Sequence, residues 1–175
     1  MVGGVVCKVR FASLDDVKKL VKCYVEVWKS LGEWLPGSVI NPELDDLLKP
    51  ETVERLKQQV EDANSIFLVA EEDGEIIGLA QGRVYTCVAQ LGFLGVRKEF
   101  RGRGVGESLL HRFIEEARKR KTQKVWLYTS PTLLPAIKLY IKNGFIPEGY
   151  LRKHFHGSDL IIYSKFLSEE GKKQN

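Results

Sequence analysis

The chain has 175 residues, enough for one domain with a sizeable core, and 43% of them are hydrophobic, 29% charged and three are tryptophan, a globular composition. No stretch nears the roughly 18 consecutive apolar residues of a membrane span, and the N-terminal residues lack the apolar core of a secretion signal, which argues against membrane and secreted classes. Cys7, Cys23 and Cys87 are odd in number and far apart, fitting neither a disulfide framework nor a metal-ligand spacing, so the expectation is a cytoplasmic, reduced protein without a metal.

Residues 5–12, "VVCKVRFA", alternate as a first strand. Ser13 and Asp16 make a capping box for a helix whose apolar positions Leu14, Val17, Leu20, Val21, Tyr24, Val25, Trp28 and Leu31 recur at helical spacing. The Gly- and Pro-rich stretch 32–42 predicts a loop, and about 51–63 a more polar helix. Residues 65–85 predict a hairpin turning at Asp73-Gly74, and 88–96 a strand interrupted by Gly92 and Gly95. A third helix runs from about Gly104 to Lys119, then a buried strand over 124–130. "LPAIKLYIKNG" gives a short helix with Pro135 in its first turn and Gly144 at its C-cap. "GYLRKHF" and "DLIIYSKFL" finish the chain as an antiparallel pair. The order β-α-α-β-β-β-α-β-α-β-β makes a mixed α/β domain around a central sheet, without internal repeat or linker, over 1–175.

The net charge of +4 is unevenly spread. Residues 41–75 carry eleven acids against three bases, while 97–124 carry ten bases against four acids. Either segment reads as a solvated face, or as a patch for a ligand of opposite charge.

The basic segment holds the chain's most distinctive turn, "RGRGVG". Glycine at 102, 104 and 106 removes three Cβ atoms where the chain enters a helix, which lets backbone N–H groups converge on one point. The helix dipole adds positive charge behind them, and Arg101 and Arg103 offer planar donors, a combination that suits phosphate. The helix is supported by Val105, Leu109, Leu110, Phe113, Ile114 and Ala117 on one stripe. A P-loop is ruled out because no Lys-Ser/Thr pair follows. A dinucleotide fingerprint fails because the glycines run G-x-G-x-G with no acid ending the next strand. A glycine-rich turn with no ligand remains the alternative from spacing alone.

Arg101, Gly104 and Gly106 in an R/Q-x-x-G-x-G/A pattern resemble the acyl-CoA pyrophosphate loop of the GCN5-related N-acetyltransferases (GNAT). "FLGVRKEF" resembles that family's fourth strand, and "AIKLYIKNGF" (136–145) its A-x-x-x-Y-x-x-x-G-F signature. The resemblance covers about 8–167. It implies a mostly antiparallel sheet of about seven strands with four helices, splayed at the acyl-CoA site. It implies acetyl-CoA as cosubstrate, with Leu94, Gly95, Val96, Arg101, Gly102, Arg103, Gly104, Val105, Gly106, Glu107 and Tyr140 as the residues around it. The Leu94 and Val96 backbones would bind the pantetheine, Gly95 and Gly92 would permit a bulge, and the Leu94 N–H would polarise the thioester carbonyl.

By the same resemblance a neutral amine attacks the acetyl group directly and Tyr140 is the general acid for the departing thiolate, with Tyr128 and Tyr150 as substitutes and a core aromatic as the alternative. The sequence departs from the family at the base, where Gln90 stands in place of a glutamate. Water through Gln90, or Glu26 or Glu33 near the end of the first helix, would then serve, although both glutamates also read as solvated side chains. Leu133 stands where many members carry a cofactor-contacting asparagine. His111 reads as surface, and His154 and His156 as a hairpin edge.

The acceptor is the least patterned part. His154-Phe155 replaces the tyrosine pair typical of protein N-terminal acetylating members, and the acidic 41–75 segment suggests a polyamine or another cationic amine. A protein N-terminus or lysine is the alternative acceptor. A non-catalytic acyl-CoA sensor is a competing class, and a nucleic-acid module the weaker third, since no aromatics interleave with the bases. Dimers are common in the family, and the last strand offers an edge for pairing.

Overall fold

"SIFLVAEE", residues 65–72, has no polar alternation over its first six positions, so as a strand both of its faces must be covered. In the computed structural model, which describes residues 7–167, they are. Ile66, Leu68 and Ala70 enter one hydrophobic core while Phe67 and Val69 enter another. This strand, β2 (Ser65–Glu72), follows β1 (Lys8–Phe11) and precedes β3 (Glu75–Tyr85), β4 (Val88–Val96), β5 (Lys124–Thr129), β6 (Ile146–Phe155) and β7 (Ser158–Phe166). The seven strands form one sheet in the order β1-β2-β3-β4-β5-β7-β6, antiparallel throughout except for β4 against β5. Residues 5 and 6 of the expected first strand lie outside the described residues, and Cys7 precedes β1.

The described residues form five α-helices rather than four. On one face α1 (Val17–Lys29) lays Val17, Leu20, Cys23, Tyr24 and Val27 against Phe67, Val69 and Leu79, helped by Leu56 of α3 (Glu51–Glu61). Burial pushes the Cys23 thiol up to about 12, which leaves it protonated and inert. On the other face α4 (Val105–Lys119) buries Leu109, Leu110, Phe113 and Ala117 against β2 and β3, with α5 (Leu134–Lys142) beside it. The α4 stripe read from the sequence is this buried face, whereas of the stripe read for α1 Val17, Leu20 and Tyr24 are buried, Val21, Val25 and Trp28 are half-buried and Leu14 is exposed, with Cys23 and Val27 completing the buried side.

The additional helix is α2 (Gly37–Leu47), which replaces half of the expected 32–42 loop. Pro42 lies inside it, where its missing N–H forfeits one intrahelical bond. Burial of Val39, Ile40 and Leu47 on one face outweighs that loss. Val39 and Ile40 close a small cluster with Leu35, Trp34 and Phe155, so α2 packs on the tip of the β6–β7 hairpin. That hairpin turns through His156 and Gly157 at φ 47° and 76°, and β2–β3 through Asp73 and Gly74 at 49° and 77°, the two-residue geometry expected for the latter. No helix among the described residues is long and apolar enough to cross a membrane.

Candidate active site

Strands β4 and β5 pair only where Val88, Ala89 and Gln90 meet Lys124, Val125 and Trp126. Beyond that point β4 stays on β3 as far as Val96 opposite Gly78, and β5 stays on β7 as far as Thr129 opposite Ile161, so the two diverge. Divergence begins at a bulge. Gln81 faces Phe93 and Gly82 faces Leu91, which leaves Gly92 as the additional residue. The bulge therefore belongs to Gly92 and not to Gly95, which stays in register with Leu79. Glycine is needed at 95 for another reason: a Cβ there would lie 2.7 Å from both the Phe93 ring and Val27 of α1.

Strand alternation determines what the gap receives. Arg97 N–H donates to the Ile77 carbonyl at 2.9 Å, so the hydrogen-bonded pairs recur at Gly95 and Phe93. The backbone groups of Leu94 and Val96 consequently point away from β3, toward the open side. One of them is occupied, because the Val96 carbonyl accepts from Arg101 Nε at 2.9 Å.

The gap opens into a cavity of about 730 Å³. One end is the glycine turn. Gly102 and Gly104 sit at φ 75° and 81°, and Gly104 caps α4 in the left-handed region, where a side chain would cost about 1–2 kcal/mol. Val105, Gly106 and Glu107 form the first turn of α4, whose N–H groups have no partner within the helix. The two arginines of the turn diverge. Arg101 lines the cavity, donates to the Ser30 hydroxyl and stacks 5.8 Å from the Trp34 ring, which ties the turn to the end of α1. Arg103 is turned outward to Glu72 at 2.7 Å and over Phe100. Glu107 accepts from Lys142 at 2.9 Å, and that ammonium lowers its carboxyl below the ordinary range.

Tyr140, on the cavity wall, is 6% exposed and packed between Phe145 and Tyr163. Burial alone pushes its phenol above the ordinary value. Leu133, which N-caps α5, adds an apolar wall beside it, and Thr132 donates to the Trp34 carbonyl at 2.6 Å. Of the two substitute tyrosines, Tyr128 lines the cavity, its phenol raised by burial and then by the nearby Glu43 and Tyr85. Tyr150 lies away from it and donates to Asp159 at 2.6 Å.

None of the expected bases borders this cavity. Gln90 faces a separate polar recess with Gln59, Asp62 and Gln81. Glu26 is paired with Arg97 at 2.6 Å, and Glu33 is exposed to solvent away from the wall. His111 is hydrogen-bonded to Asn143 at 2.6 Å, and His154 is exposed on β6. The carboxylate that does face the far end is Glu43 of α2, joined to His156 Nε2 at 2.9 Å. Its position became visible only with α2, because the helix places 43 on the same face as buried Val39 and Leu47, a placement an irregular loop does not give. Leu35, Val39 and Phe155 pack together beside it, and Trp28 lines the same cavity, while Trp34 spans toward the glycine turn, where Arg101 stacks on it.

A model of the acetyltransferase (GNAT) family matches residues 27–145, from α1 through the bulge, the glycine turn and Tyr140 to Phe145. A Bacillus subtilis (strain 168) chain named for ribosomal protein bS18 alanine N-acetyltransferase is 28% identical over 106 residues, 59% of this chain and 70% of that one. Among solved structures, PaiA N-acetyltransferase from Thermoplasma acidophilum, in complex with coenzyme A, has a TM-score of 0.78 at 22% identity, covering 92% of this chain and 99% of that one. Ribosomal-protein-alanine N-acetyltransferase from Brucella melitensis has a TM-score of 0.74 at 26% identity, covering 91% and 99%.

Proposed function

The chain belongs to the acetyltransferase (GNAT) family of acetyl-CoA-dependent N-acetyltransferases, and from that premise we propose that residues 8–167 act as one catalytic domain in which a bound amine attacks acetyl-CoA directly. The observation that carries this reading is the opening between β4 and β5, with the glycine turn at one end and an aromatic chamber at the other. Pantetheine amides would occupy the place of a missing strand, bonding the outward backbone groups of Leu94 and the Val96 N–H, since Arg101 holds the Val96 carbonyl. The pyrophosphate would meet the unpaired N–H groups at the start of α4, with Arg101 beside them.

Transfer forms an N–C bond and breaks the C–S bond. The amine nitrogen adds to the acetyl carbonyl, the Leu94 N–H takes the developing oxyanion, and collapse expels the thiolate. A single such donor contributes about 2.7–4 kcal/mol in other acyl-transfer enzymes. Tyr140 serves the sulfur. A phenol is a weaker acid than a thiol, and burial raises this one further, so Tyr140 hydrogen-bonds the leaving sulfur and completes the transfer as it receives the proton of the new amide nitrogen.

The chamber supports an amine borne on an apolar body over a polyamine. Its wall is aromatic and aliphatic, and of the eleven acids in 41–75 only Glu43 lines it. The relatives named for acetylating a ribosomal-protein alanine favour the same direction, the α-amine of a peptide. The test is acetyl-CoA turnover with an alanine-initiated peptide and with spermidine, read by mass spectrometry and thiol release. N-terminal acetylation of the peptide, faster than spermidine, is expected. Preferred acetylation of spermidine would overturn the acceptor assignment, and release of thiol with neither product would overturn amine transfer.

A further inference from the structure

We propose that Glu43 is the base that takes the proton from the acceptor ammonium, and that His156 is the positioning residue that holds its carboxylate. The proposal rests on the acetyl-transfer reading above and supplies the base that reading lacks. Three observations carry it.

The first is register. Glu43 follows buried Val39 by one helical turn and precedes buried Leu47 by another, so α2 aims a carboxylate at an apolar wall. A carboxylate in that setting is unfavourable unless it has a partner. The second is the partner. His156 Nε2 donates to Glu43 Oε1 at 2.9 Å from the tip of the β6–β7 hairpin. The tip is fixed: His156 and Gly157 make its two-residue turn, and Phe155, 4.5 Å from the imidazole ring, is anchored among Leu35, Val39 and Ile40. The third is access. The Glu43 and His156 side chains are 29% and 33% exposed, so a proton taken inside the cavity has a route to water.

The titratable groups that face Glu43 are His156 from that turn and Tyr128 from β5, while α1, the turn after it and β4 present Trp28, Leu31 and Phe93 to the chamber. The other acid on the cavity wall, Glu107, lies at the cofactor end and is held by Lys142. The proton balance is then closed. The R–NH3+ group gives one proton to Glu43, and from there to solvent. The amine attacks, and its second proton ends on the departing sulfur by way of Tyr140.

The experiment measures kcat at saturating alanine-initiated peptide between pH 6.5 and 9.5 for the wild type, Glu43→Gln, His156→Ala and His156→Gln. Glutamine at 43 keeps the acceptor oxygen for His156 and removes only the basicity. Glu43→Gln is expected to lose about tenfold in kcat at pH 7 and to converge on the wild type by pH 9, since an α-amine of pKa about 7.7–8.0 sheds its proton unaided there. His156→Ala should lose less, and His156→Gln should recover most of that loss by donating in its place. The acetyl-CoA-induced rise in melting temperature should persist in all four proteins. A kcat for Glu43→Gln equal to the wild type at every pH, even with a raised KM, would overturn the proposal, as would a loss of the same size at every pH. An inactive wild type that still bound acetyl-CoA would overturn the peptide reading as well, whereas an active wild type with an indifferent Glu43→Gln overturns this proposal alone.

Discussion

Tyr140 sits in α5 with Phe145 and Tyr163 on its flanks, and burial alone governs its phenol, which stays protonated through neutral pH. Replacing it with phenylalanine keeps the ring contacts and removes the group that serves the leaving sulfur. Tyr140→Phe should therefore lower kcat by about 100-fold or more, with the melting temperature within about 2 °C of the wild type, as steady-state kinetics and a thermal melt would show. Asp16 has a structural role. The Arg10 guanidinium, at 2.6 and 2.9 Å, lowers its carboxyl to about 2, against an opposing effect of burial, and the Ser13 N–H and hydroxyl assist. Because the folded value lies below the ordinary one of about 3.9, the stabilisation is complete above pH 4 and is lost as pH falls through about 2. Asp16→Asn should cost of order 1–2 kcal/mol at pH 7, and the gap in melting temperature should close as both proteins are titrated toward pH 2. The Ser13–Asp16 spacing was legible in the sequence. Arg10's second acceptor, Glu71, was not, because only strand pairing brings residues 61 apart together.

Among the elements, the outcome depended on what stabilises each one. α1 and α4 carry strong apolar stripes and are legible, whereas the first half of α2 falls in the 32–42 stretch that reads as loop, because Gly32, Pro36, Gly37 and Pro42 dominate local propensity there. Its stability comes from burying Val39, Ile40 and Leu47 against other parts of the chain, a tertiary effect that no window of sequence contains. β4 shows a related limit. Two glycines in a strand announce an unusual backbone, but not which one adds a residue and which one admits a neighbouring helix. Since Gly95 admits Val27 and Phe93 at close range, Gly95→Ala should destabilise the fold by about 1–3 kcal/mol through overpacking. Gly104→Ala, with a strained left-handed backbone and open space around the methyl, should cost about 1–2 kcal/mol. It should also weaken acetyl-CoA binding. Urea unfolding and a cofactor titration of the two variants would check both.

For the molecule as a whole, the acidic segment 41–75 meets the rest of the chain in ion pairs: Asp62 with Arg83, Glu71 with Arg10, Glu72 with Arg103 and Glu75 with Lys22, while Asp46 pairs with Arg55 inside the segment. Those four pairs offset half of the segment's net charge, eleven acids less three bases, and of its acids only Glu43 lines the cavity, so the remainder is poorly placed to steer a cation there. Acetylation of a cationic acceptor should accordingly vary less than about twofold as added salt rises from low to about 0.5 M, a range over which unpaired surface charges lose their reach. Element order and the glycine turn were legible at this scale. The acceptor end was not, because the end of α1 and the neighbouring α2 meet there with the β6–β7 tip, 113 residues away between Glu43 and His156. Everything proposed for that end depends on the opposite end holding acetyl-CoA. A thermal melt with acetyl-CoA, and with ATP and NAD as controls, tests this most directly. At about 100 times its dissociation constant a ligand adds roughly 2.7 kcal/mol, a rise of roughly 5–10 °C for a chain of this size. The account predicts that rise with acetyl-CoA alone; no rise at saturating acetyl-CoA, or an equal one with ATP, would contradict it.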